Sequence, residues 1–157
     1  MFDEVPYSDE DLLRLVQEIS LHDFSLPFRH RCRYNYRLKT TGGRYLLKTH
    51  DLEFNPHSVQ LHGMSELVGT IRHELCHYHL HLLGQGYRHR DKDFQRLLKQ
   101  VGGSRYALPT GLKNKRSVQK TYACMECGTL YIRVRTIDTG RYRCGRCEGQ
   151  LRFVALT

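Results

Sequence analysis

The sequence predicts an α+β fold, with helices packed on a small antiparallel sheet, followed by a small C-terminal ribbon held together by cysteines. Three observations predict it. Apolar residues recur at helical spacing between Met64 and Leu83. Residues 31–55 alternate between apolar and polar in short stretches separated by turn residues. Two C-x-x-C pairs lie near the end of the chain, which at 157 residues is long enough for one ordinary domain and a small appendage.

The individual elements follow from caps and periodicity. Ser8 and the acidic turn after it predict a helix that runs to about Leu21. Gly84 ends the long helix at 64–83, and Asp91 or Asp93 caps another helix that runs to Val101. Alternation predicts three strands, at 31–38, 44–48 and 51–55.

These elements predict three regions. They are a main domain at residues 1–103, a basic linker at 104–120 and the ribbon at 121–157. Within the ribbon, alternation at 130–135, a turn at 138–140 and a return at 141–143 predict a hairpin.

Composition restricts the class of protein. A hydrophobic fraction of 39% with 26% charged residues is typical of a soluble globular protein. No run approaches the roughly 18 apolar residues of a membrane helix, and the acidic N-terminal stretch has no secretory pattern. We therefore expect a cytoplasmic protein that does not associate with membranes, and we expect a monomer.

The longest predicted helix contains the sequence His73-Glu74-Leu75-Cys76-His77, an H-E-x-x-H pattern. Residues four apart face the same side of a helix, so the imidazoles of His73 and His77 can hold one zinc ion. Glu74 then lies beside the metal, where it can act as general base. The pattern predicts a zinc metallopeptidase.

Two more histidines on this helix do not suit the same ion. His81 is about 12 Å from His73 along the helix axis, whereas zinc–nitrogen bonds are about 2.1 Å long. His79 points away from His77. We expect His79 and His81 to face solvent or to lie around the ligands.

A third ligand is expected further along the chain. Leu83 stands where a short-spaced third histidine would fall. His89 lies beyond the stop at Gly84, on a loop that can fold back over the helix. We predict His89 as the third ligand, with Asp91 or Asp93 as the fallback.

The cysteines predict a second zinc site. Four of the six cysteines form two C-x-x-C knuckles with sixteen residues between the pairs, a spacing typical of a tetrahedral zinc site. They are Cys124, Cys127, Cys144 and Cys147. Cys32 and Cys76 stand alone, and Cys76, beside the predicted ligands, is expected to be a small packing residue.

Most of the net charge of +9 lies at the C-terminal end. Residues 113–157 hold ten Lys/Arg against three acidic residues, a net charge of +7. Basic residues that contact phosphates, with Tyr131 and Tyr142 stacking on exposed bases, predict binding to single-stranded or junction-containing DNA. The predicted contacts are Lys113, Lys115, Arg116, Lys120, Arg133, Arg135, Arg141 and Arg143.

The H-E-x-x-H helix, the histidine after a glycine-broken loop and the four-cysteine ribbon together resemble the SprT-like family, whose relatives include the eukaryotic Spartan-type proteases. The stretches Arg-Leu-Lys-Thr-Thr-Gly-Gly-Arg at 37–44 and Phe-Asn-Pro at 54–56 also carry this resemblance. It implies a zincin-like α+β fold, in which His73, His77 and His89 hold zinc and Glu74 is the catalytic acid/base. It also implies DNA-dependent proteolysis of proteins crosslinked or tightly bound to DNA.

The sequence thus predicts a DNA-associated zinc endopeptidase with one catalytic and one structural zinc ion. An extended substrate segment would pair with an edge strand at 44–48 or 51–55, and Tyr87 or Arg105 would stabilise the oxyanion. Two other functions stay open. One is a non-enzymatic zinc-ribbon factor that binds nucleic acid, and the other is a metal-dependent hydrolase that acts on nucleic acid itself.

Overall fold

The computed structural model describes residues 6–112 and 118–156. The chain divides into two compact units, Met1–Lys113 and Asn114–Thr157. The predicted contacts Lys113, Lys115 and Arg116 lie outside the described residues. None of the helices in the described ranges is long and apolar enough to cross a membrane.

Within residues 6–112, the first unit contains three helices and three short strands, so the predicted α+β class is confirmed. Helix α1 (Asp9–Phe24) is capped by the Ser8 side chain, which accepts a hydrogen bond from the backbone N–H of Asp11 at 3.1 Å. It continues one turn beyond the predicted end, because the chain leaves the helix only at Ser25, in a left-handed conformation. The helices are α1 (Asp9–Phe24), α2 (Pro56–Leu82) and α3 (Lys92–Val101), and the strands are β1 (Cys32–Tyr34), β2 (Gly43–Tyr45) and β3 (Leu52–Phe54).

The sheet is mixed, so the prediction of an antiparallel sheet is wrong for one of its two strand pairings. Strand β3 lies in the centre, antiparallel to β2 and parallel to β1. The reason is that β2 and β3 form a hairpin, and β3 rather than β2 pairs with β1. In the part of the chain that the structure describes, β2 is therefore an edge strand.

Helix α2 begins eight residues before the predicted start at Met64. Asn55 caps it by accepting a hydrogen bond from the backbone N–H of His57 at 2.9 Å, and Pro56 occupies the first turn. Gly63 interrupts the helix with φ 76° and ψ −162°. Periodicity restarts after this kink, so the sequence pattern revealed only the part of the helix beyond it.

The core of the first unit lies between the sheet and the helices. Alternation along β3 points Leu52 and Phe54 into the core, and both are fully buried. Helices α1 and α2 supply the facing apolar stripes, which include Leu12, Val16, Ile19, Leu67, Ile71 and Leu75. This packing fixes the position of α2, and with it the H-E-x-x-H sequence.

Within residues 118–156, the second unit forms a three-stranded antiparallel sheet, with β4 (Lys120–Cys124) in the centre between β5 (Leu130–Arg133) and β6 (Leu151–Leu156). The prediction that residues 141–143 form the second strand of a hairpin with 130–135 is wrong. The partner of β5 is β4, and within 141–143 only Arg143 makes a single bridge, to Gln150.

Candidate metal centres

Three histidines converge in the first unit. His73 and His77 lie one turn apart on α2, and His89 lies on the loop between α2 and α3. The Nε2 atoms of His73 and His89 are 3.0 Å apart, those of His77 and His89 3.0 Å, and those of His73 and His77 3.2 Å. Two nitrogen ligands of a tetrahedral zinc ion would be separated by roughly 3.4 Å. We call these three residues the histidine triad.

The hydrogen bonds at the far side of the rings determine what the triad can hold. The Nδ1–H of His73 donates to the backbone carbonyl of Ser104, and that of His77 donates to the carbonyl of Tyr87, each at 2.6 Å. A neutral imidazole that donates from Nδ1 has a lone pair on Nε2. Since these lone pairs point at one another, the donor set fits a metal cation.

Burial favours the neutral imidazoles of His73 and His77, because it lowers the pKa of both. It lowers the pKa of His77 to about 4, outweighing the opposing effect of the hydrogen bond to Tyr87. The buried ring of Phe94 on α3 packs against all three imidazoles, with centroids 4.4 Å from His77, 5.3 Å from His73 and 5.2 Å from His89. Sequence reasoning placed Phe94 on a helix but missed this contact, because only tertiary packing brings α3 under the triad.

The fallback ligands Asp91 and Asp93 lie outside the triad. The side chain of Asp91 accepts a hydrogen bond from the backbone N–H of Arg88, and that of Asp93 accepts one from Gly86, each at 2.9 Å. The two aspartates thus shape the loop that carries His89.

The two other histidines of α2 have partners outside the triad. His79 is buried, and its Nε2 lies 2.8 Å from the hydroxyl of Ser20 on α1. The Nδ1 of His81 lies 2.7 Å from the hydroxyl of Tyr45 on β2. His79 therefore links two helices, and His81 links α2 to the edge strand. Cys76, fully buried against α3, is a packing residue as predicted.

Glu74 lies beside the triad, with 7% of its surface exposed. Burial raises the pKa of its carboxyl to about 8. A cation held by the triad would favour the charged carboxylate and oppose this shift. Glu74 is thus placed where a carboxylate can exchange a proton with a group near the metal position.

The triad and Glu74 line an open cavity of about 540 Å³, which we call the cleft. Strand β2 and residues 104–107 form parts of its wall. The backbone N–H of Leu46 donates to the carbonyl of Asp51, and the N–H of Asn55 donates to the carbonyl of Gly42. Successive residues of a strand direct their backbone N–H and C=O groups to alternate sides, so those of Gly43 and Tyr45 point away from β3. A Cβ at Gly43 would lie 3.0 Å from the carbonyl of Glu53 and 3.0 Å from the ring of Phe54, so glycine fits this position best.

Residues 104–110, which the sequence predicts as the start of a linker, belong to the first unit and pack against the rest of it. The N–H of Ser104 donates to Gly69, and the N–H of Leu108 donates to the carboxylate of Glu66, each at 3.0 Å. The hydroxyl of Thr110 donates to the carbonyl of Lys39 at 2.5 Å. The sequence could not predict the hydrogen bond from His73 to the Ser104 carbonyl, because every residue has a backbone carbonyl.

The four predicted ribbon cysteines also converge. Their sulfurs all lie within 4.8 Å of one another. The Sγ atoms of Cys124 and Cys147 are 3.4 Å apart and those of Cys127 and Cys144 are 3.6 Å apart, far longer than a disulfide bond. A hydrogen bond from the Tyr131 hydroxyl holds the pKa of Cys144 down at about 6. Four clustered sulfurs, one of them readily deprotonated, fit a tetrahedral zinc ion.

The predicted nucleic-acid residues on the ribbon take different environments. Lys120 on β4 lies directly across from Arg133 on β5, so the two share one face. Arg135 follows the end of β5. The Arg143 guanidinium donates to the carbonyls of Thr139 and Gly140, so it braces the turn.

The two predicted stacking tyrosines also differ. Tyr131 is committed to the knuckle, since its hydroxyl contacts Cys144 and accepts a hydrogen bond from the N–H of Gly145. Tyr142 remains exposed, with the Arg141 guanidinium 5.6 Å from its ring centre. Because no strand forms at 141–143, Arg141 and Arg143 do not lie on a strand of the predicted hairpin.

The fold and the two donor clusters define an α+β protein with a histidine triad in its first unit and a four-cysteine ribbon in its second. Residues 11–117 match the family model described as the SprT-like family, and residues 121–154 match the SprT-like zinc ribbon domain. The chain belongs to the SprT-like family.

Similar proteins extend over most of the chain. The protein named Protein SprT-like from Lactiplantibacillus plantarum is 52% identical over 147 residues, covering 94% of this chain and 99% of the relative. The one from Bacillus velezensis is 53% identical over 148 residues, covering 93% of this chain and 98% of the relative.

Among solved structures, the crystal structure of the metallopeptidase zymogen of Pyrococcus abyssi abylysin matches with a TM-score of 0.44 and 22% identity. The match covers 62% of this chain and 83% of that one. This likeness is too slight to bear on function.

Proposed function

We propose that this protein is a zinc-dependent endopeptidase that associates with DNA and acts on DNA-bound or DNA-crosslinked proteins. One observation carries the proposal. The Nε2 atoms of three imidazoles converge beside the buried carboxyl group of Glu74, at a cleft bordered by the outer edge of β2. This is the donor set that hydrolytic zinc sites use, with the triad leaving a coordination position open.

His73, His77 and His89 would hold the catalytic zinc, which supplies Lewis acidity when bound. Glu74 takes the proton from the attacking water and passes it to the amine nitrogen that leaves as the peptide bond breaks. The hydrogen bonds from His73 to Ser104 and from His77 to Tyr87 keep both rings oriented throughout.

Strand β2 is the element that would align the substrate. Of the two stretches that the sequence proposed as an edge, 51–55 forms the central strand β3, whereas β2 lines the cleft. The outward backbone groups of Gly43 and Tyr45 can pair with an extended substrate segment, which places a peptide bond of that segment against the triad.

DNA association is proposed for the ribbon and the basic residues before it. The ribbon would hold a structural zinc through its four cysteines, and its positive charge favours contacts with phosphates. If each basic residue contacts one phosphate, binding should weaken steeply as salt is added. Binding that does not respond to salt would contradict phosphate contacts.

The function is tested by digesting a basic DNA-binding protein without DNA, with duplex DNA and with single-stranded DNA. Wild type is compared with Glu74→Gln and with Glu18→Gln, a matched change at an exposed position on α1. We expect cleavage that requires DNA, is lost in Glu74→Gln and is unchanged in Glu18→Gln.

The other outcomes identify the rival functions. If wild type and Glu74→Gln both bind DNA and neither cleaves protein, the protein is a nucleic-acid-binding factor with a structural H-E-x-x-H helix. If naked DNA or RNA is cut while proteins stay intact, the nucleic-acid hydrolase replaces the endopeptidase.

A further inference from the structure

The charged residues that line the cleft are unbalanced. Among the residues that the structure describes, they are three arginines, Arg44, Arg88 and Arg105, and one acidic residue, Glu74, which the proposed mechanism uses. Arg44 is already paired with Glu53 on β3. Arg88 and Arg105 are exposed, and among the described residues neither has a carboxylate within salt-bridge distance. Two cationic side chains in the cleft are therefore free to meet a ligand.

The two arginines lie on the two segments that hold the triad. Arg88 follows Tyr87, whose carbonyl accepts the hydrogen bond from His77. Arg105 follows Ser104, whose carbonyl accepts the hydrogen bond from His73. His73 and His77 are separated by about 6 Å along the axis of α2, so the arginines lie toward opposite ends of the triad.

Neighbouring tyrosines steady both guanidinium groups. The Arg88 guanidinium lies 5.8 Å from the ring centre of Tyr87, and that of Arg105 lies 5.4 Å from the ring centre of Tyr106. Both tyrosines also line the cleft. Packing on an aromatic face restricts an arginine while leaving its N–H groups available to an acceptor.

We propose that Arg88 and Arg105 make the cleft selective for acidic peptide segments, with aspartate or glutamate side chains flanking the bond that is cut. This inference rests on the proposed endopeptidase function. A flanking carboxylate would form a charge-assisted pair with one of the arginines. A flanking lysine or arginine would meet like charge and find no free carboxylate in the cleft, so repulsion excludes it. Cuts in a DNA-bound protein would then fall in acidic segments rather than in basic DNA-contacting ones.

A peptide suits this site better than a nucleic acid. Arginine–tyrosine pairs also occur where proteins bind single-stranded nucleic acid. Here, however, the pairs line the same cavity as the triad and the free edge of β2, an edge that pairs with extended peptides. A cavity of about 540 Å³ accommodates a few side chains.

The test uses three peptides that are identical except at the two positions flanking the cut, where they carry Glu, Gln or Lys. Cleavage by wild type is measured as kcat/KM, with and without single-stranded DNA. We expect the order Glu, Gln, Lys, with Glu about fivefold above Gln. The preference should shrink as salt increases, since exposed charges are screened.

Variants assign the preference to the two arginines. The double change Arg88→Gln and Arg105→Gln should reduce the Glu-to-Gln ratio to about one, and the double change to Glu should favour the Lys peptide. The matched control Arg14→Gln alters an exposed arginine on α1 outside the cleft and should keep the wild-type ratio.

Three results would overturn the inference. One is cleavage of all three peptides at equal rates. Another is an equal loss of kcat on the Glu and Gln peptides in Arg105→Gln, which would assign this arginine to the oxyanion instead. The third is weaker DNA binding in the double Gln variant with an unchanged peptide preference, which would assign the pair to nucleic acid.

A binding measurement separates this inference from the proposed function. Fluorescence anisotropy of the labelled peptides with Glu74→Gln reports selectivity without cleavage. If wild type cleaves no peptide or protein under any condition, the endopeptidase proposal fails. In that case, stronger binding of the Glu peptide still supports the charge selectivity of the cleft, and equal binding contradicts it.

Discussion

At the scale of single residues, the triad depends on groups that orient it from behind. The carbonyls of Ser104 and Tyr87 fix the rings of His73 and His77, and the buried ring of Phe94 packs against all three imidazoles. No Nδ1 hydrogen bond of this kind is found for His89 in the described part of the chain. The position of His89 thus depends on the loop and on the metal it would share.

Replacing His89 tests the triad directly. His89→Ala should weaken zinc binding at the first unit by more than the roughly 10–100-fold that loss of an outer hydrogen-bond partner costs. Competition with a chelator measures this affinity. His22→Ala, at an exposed histidine of α1, is the control and should leave it unchanged. Unchanged zinc affinity in His89→Ala would remove this residue from the ligand set.

Glu53 shows how a buried charge is kept on the sheet. Its side chain is 2% exposed and accepts hydrogen bonds from Arg33 on β1, Arg44 on β2 and Asn35. Burial alone would raise its pKa, but these three donors outweigh burial and hold the pKa at about 2. The two arginines lie directly across from Glu53 on the neighbouring strands, so the charge cluster ties all three strands together.

We expect Glu53→Gln to lower the free energy of unfolding at pH 7 by on the order of 3 kcal/mol, the equivalent of its pKa shift. Because the folded pKa is lowered, the stabilisation is complete above the unfolded pKa of about 4.5 and is lost as the pH falls toward 2. Urea unfolding of wild type and variant between pH 7 and pH 3 measures the difference. A gap that widens with acidification, or that also appears in Glu18→Gln, would contradict this account.

At the scale of elements, a kink and an edge position the chemistry. The break at Gly63 separates the first turns of α2 from the continuous helix that carries His73 and His77. The backbone at Gly63 has φ 76° and ψ −162°, a region that residues with a Cβ rarely adopt. The edge strand β2 then lies beside this helix and lines the cleft.

Gly63→Ala should therefore cost about 1–3 kcal/mol of stability from backbone strain alone. A Cβ at this position would meet no atom within 4 Å, so steric contact adds nothing. Urea unfolding of the zinc-loaded protein measures the cost, with Ser65→Ala as control. Because the triad begins ten residues later, peptide cleavage well below the melting temperature should be unchanged, and a large loss would show that the kink also positions the site.

At the scale of the whole molecule, the two units differ in how they are stabilised. The first has an extensive core shared by α1, α2 and the sheet. In the second, the buried cluster around the knuckles consists of Cys124, Cys144 and Leu151, with Tyr131 and Ile137 packed against it. Such a small cluster cannot offset the entropy of ordering the chain, so folding of the ribbon should require zinc.

Cys144→Ser should unfold the ribbon and leave the first unit folded. We expect the bound zinc to fall by about one equivalent, with ribbon amide signals moving to random-coil positions in NMR spectra. DNA binding and DNA-dependent cleavage should be lost, while zinc affinity at the histidine triad should stay at the wild-type level. Cys32→Ala, outside the cysteine cluster, is the control, and a ribbon that stays folded in Cys144→Ser would show that it does not need the metal.

The sequence by itself determined the elements and the donor residues. Periodicity and caps set α1, α3 and most of α2, because helical order depends on neighbours three or four residues apart. Spacing alone placed His73 and His77 on one helix face and paired the cysteines, since both patterns are local. His89 was predicted as the third ligand because it lies on the loop after Gly84, and the structure places it beside His73 and His77.

Only the tertiary structure decided which elements became neighbours. Strand partners were beyond the sequence: β3 pairs with both β1 and β2, and β4 takes the place predicted for the return strand in the ribbon. The carbonyl of Ser104 behind His73 and the arginines of the cleft come from loops with no periodic pattern. Such contacts join residues far apart in the chain, and they form only when the buried faces of the helices and the sheet pack together.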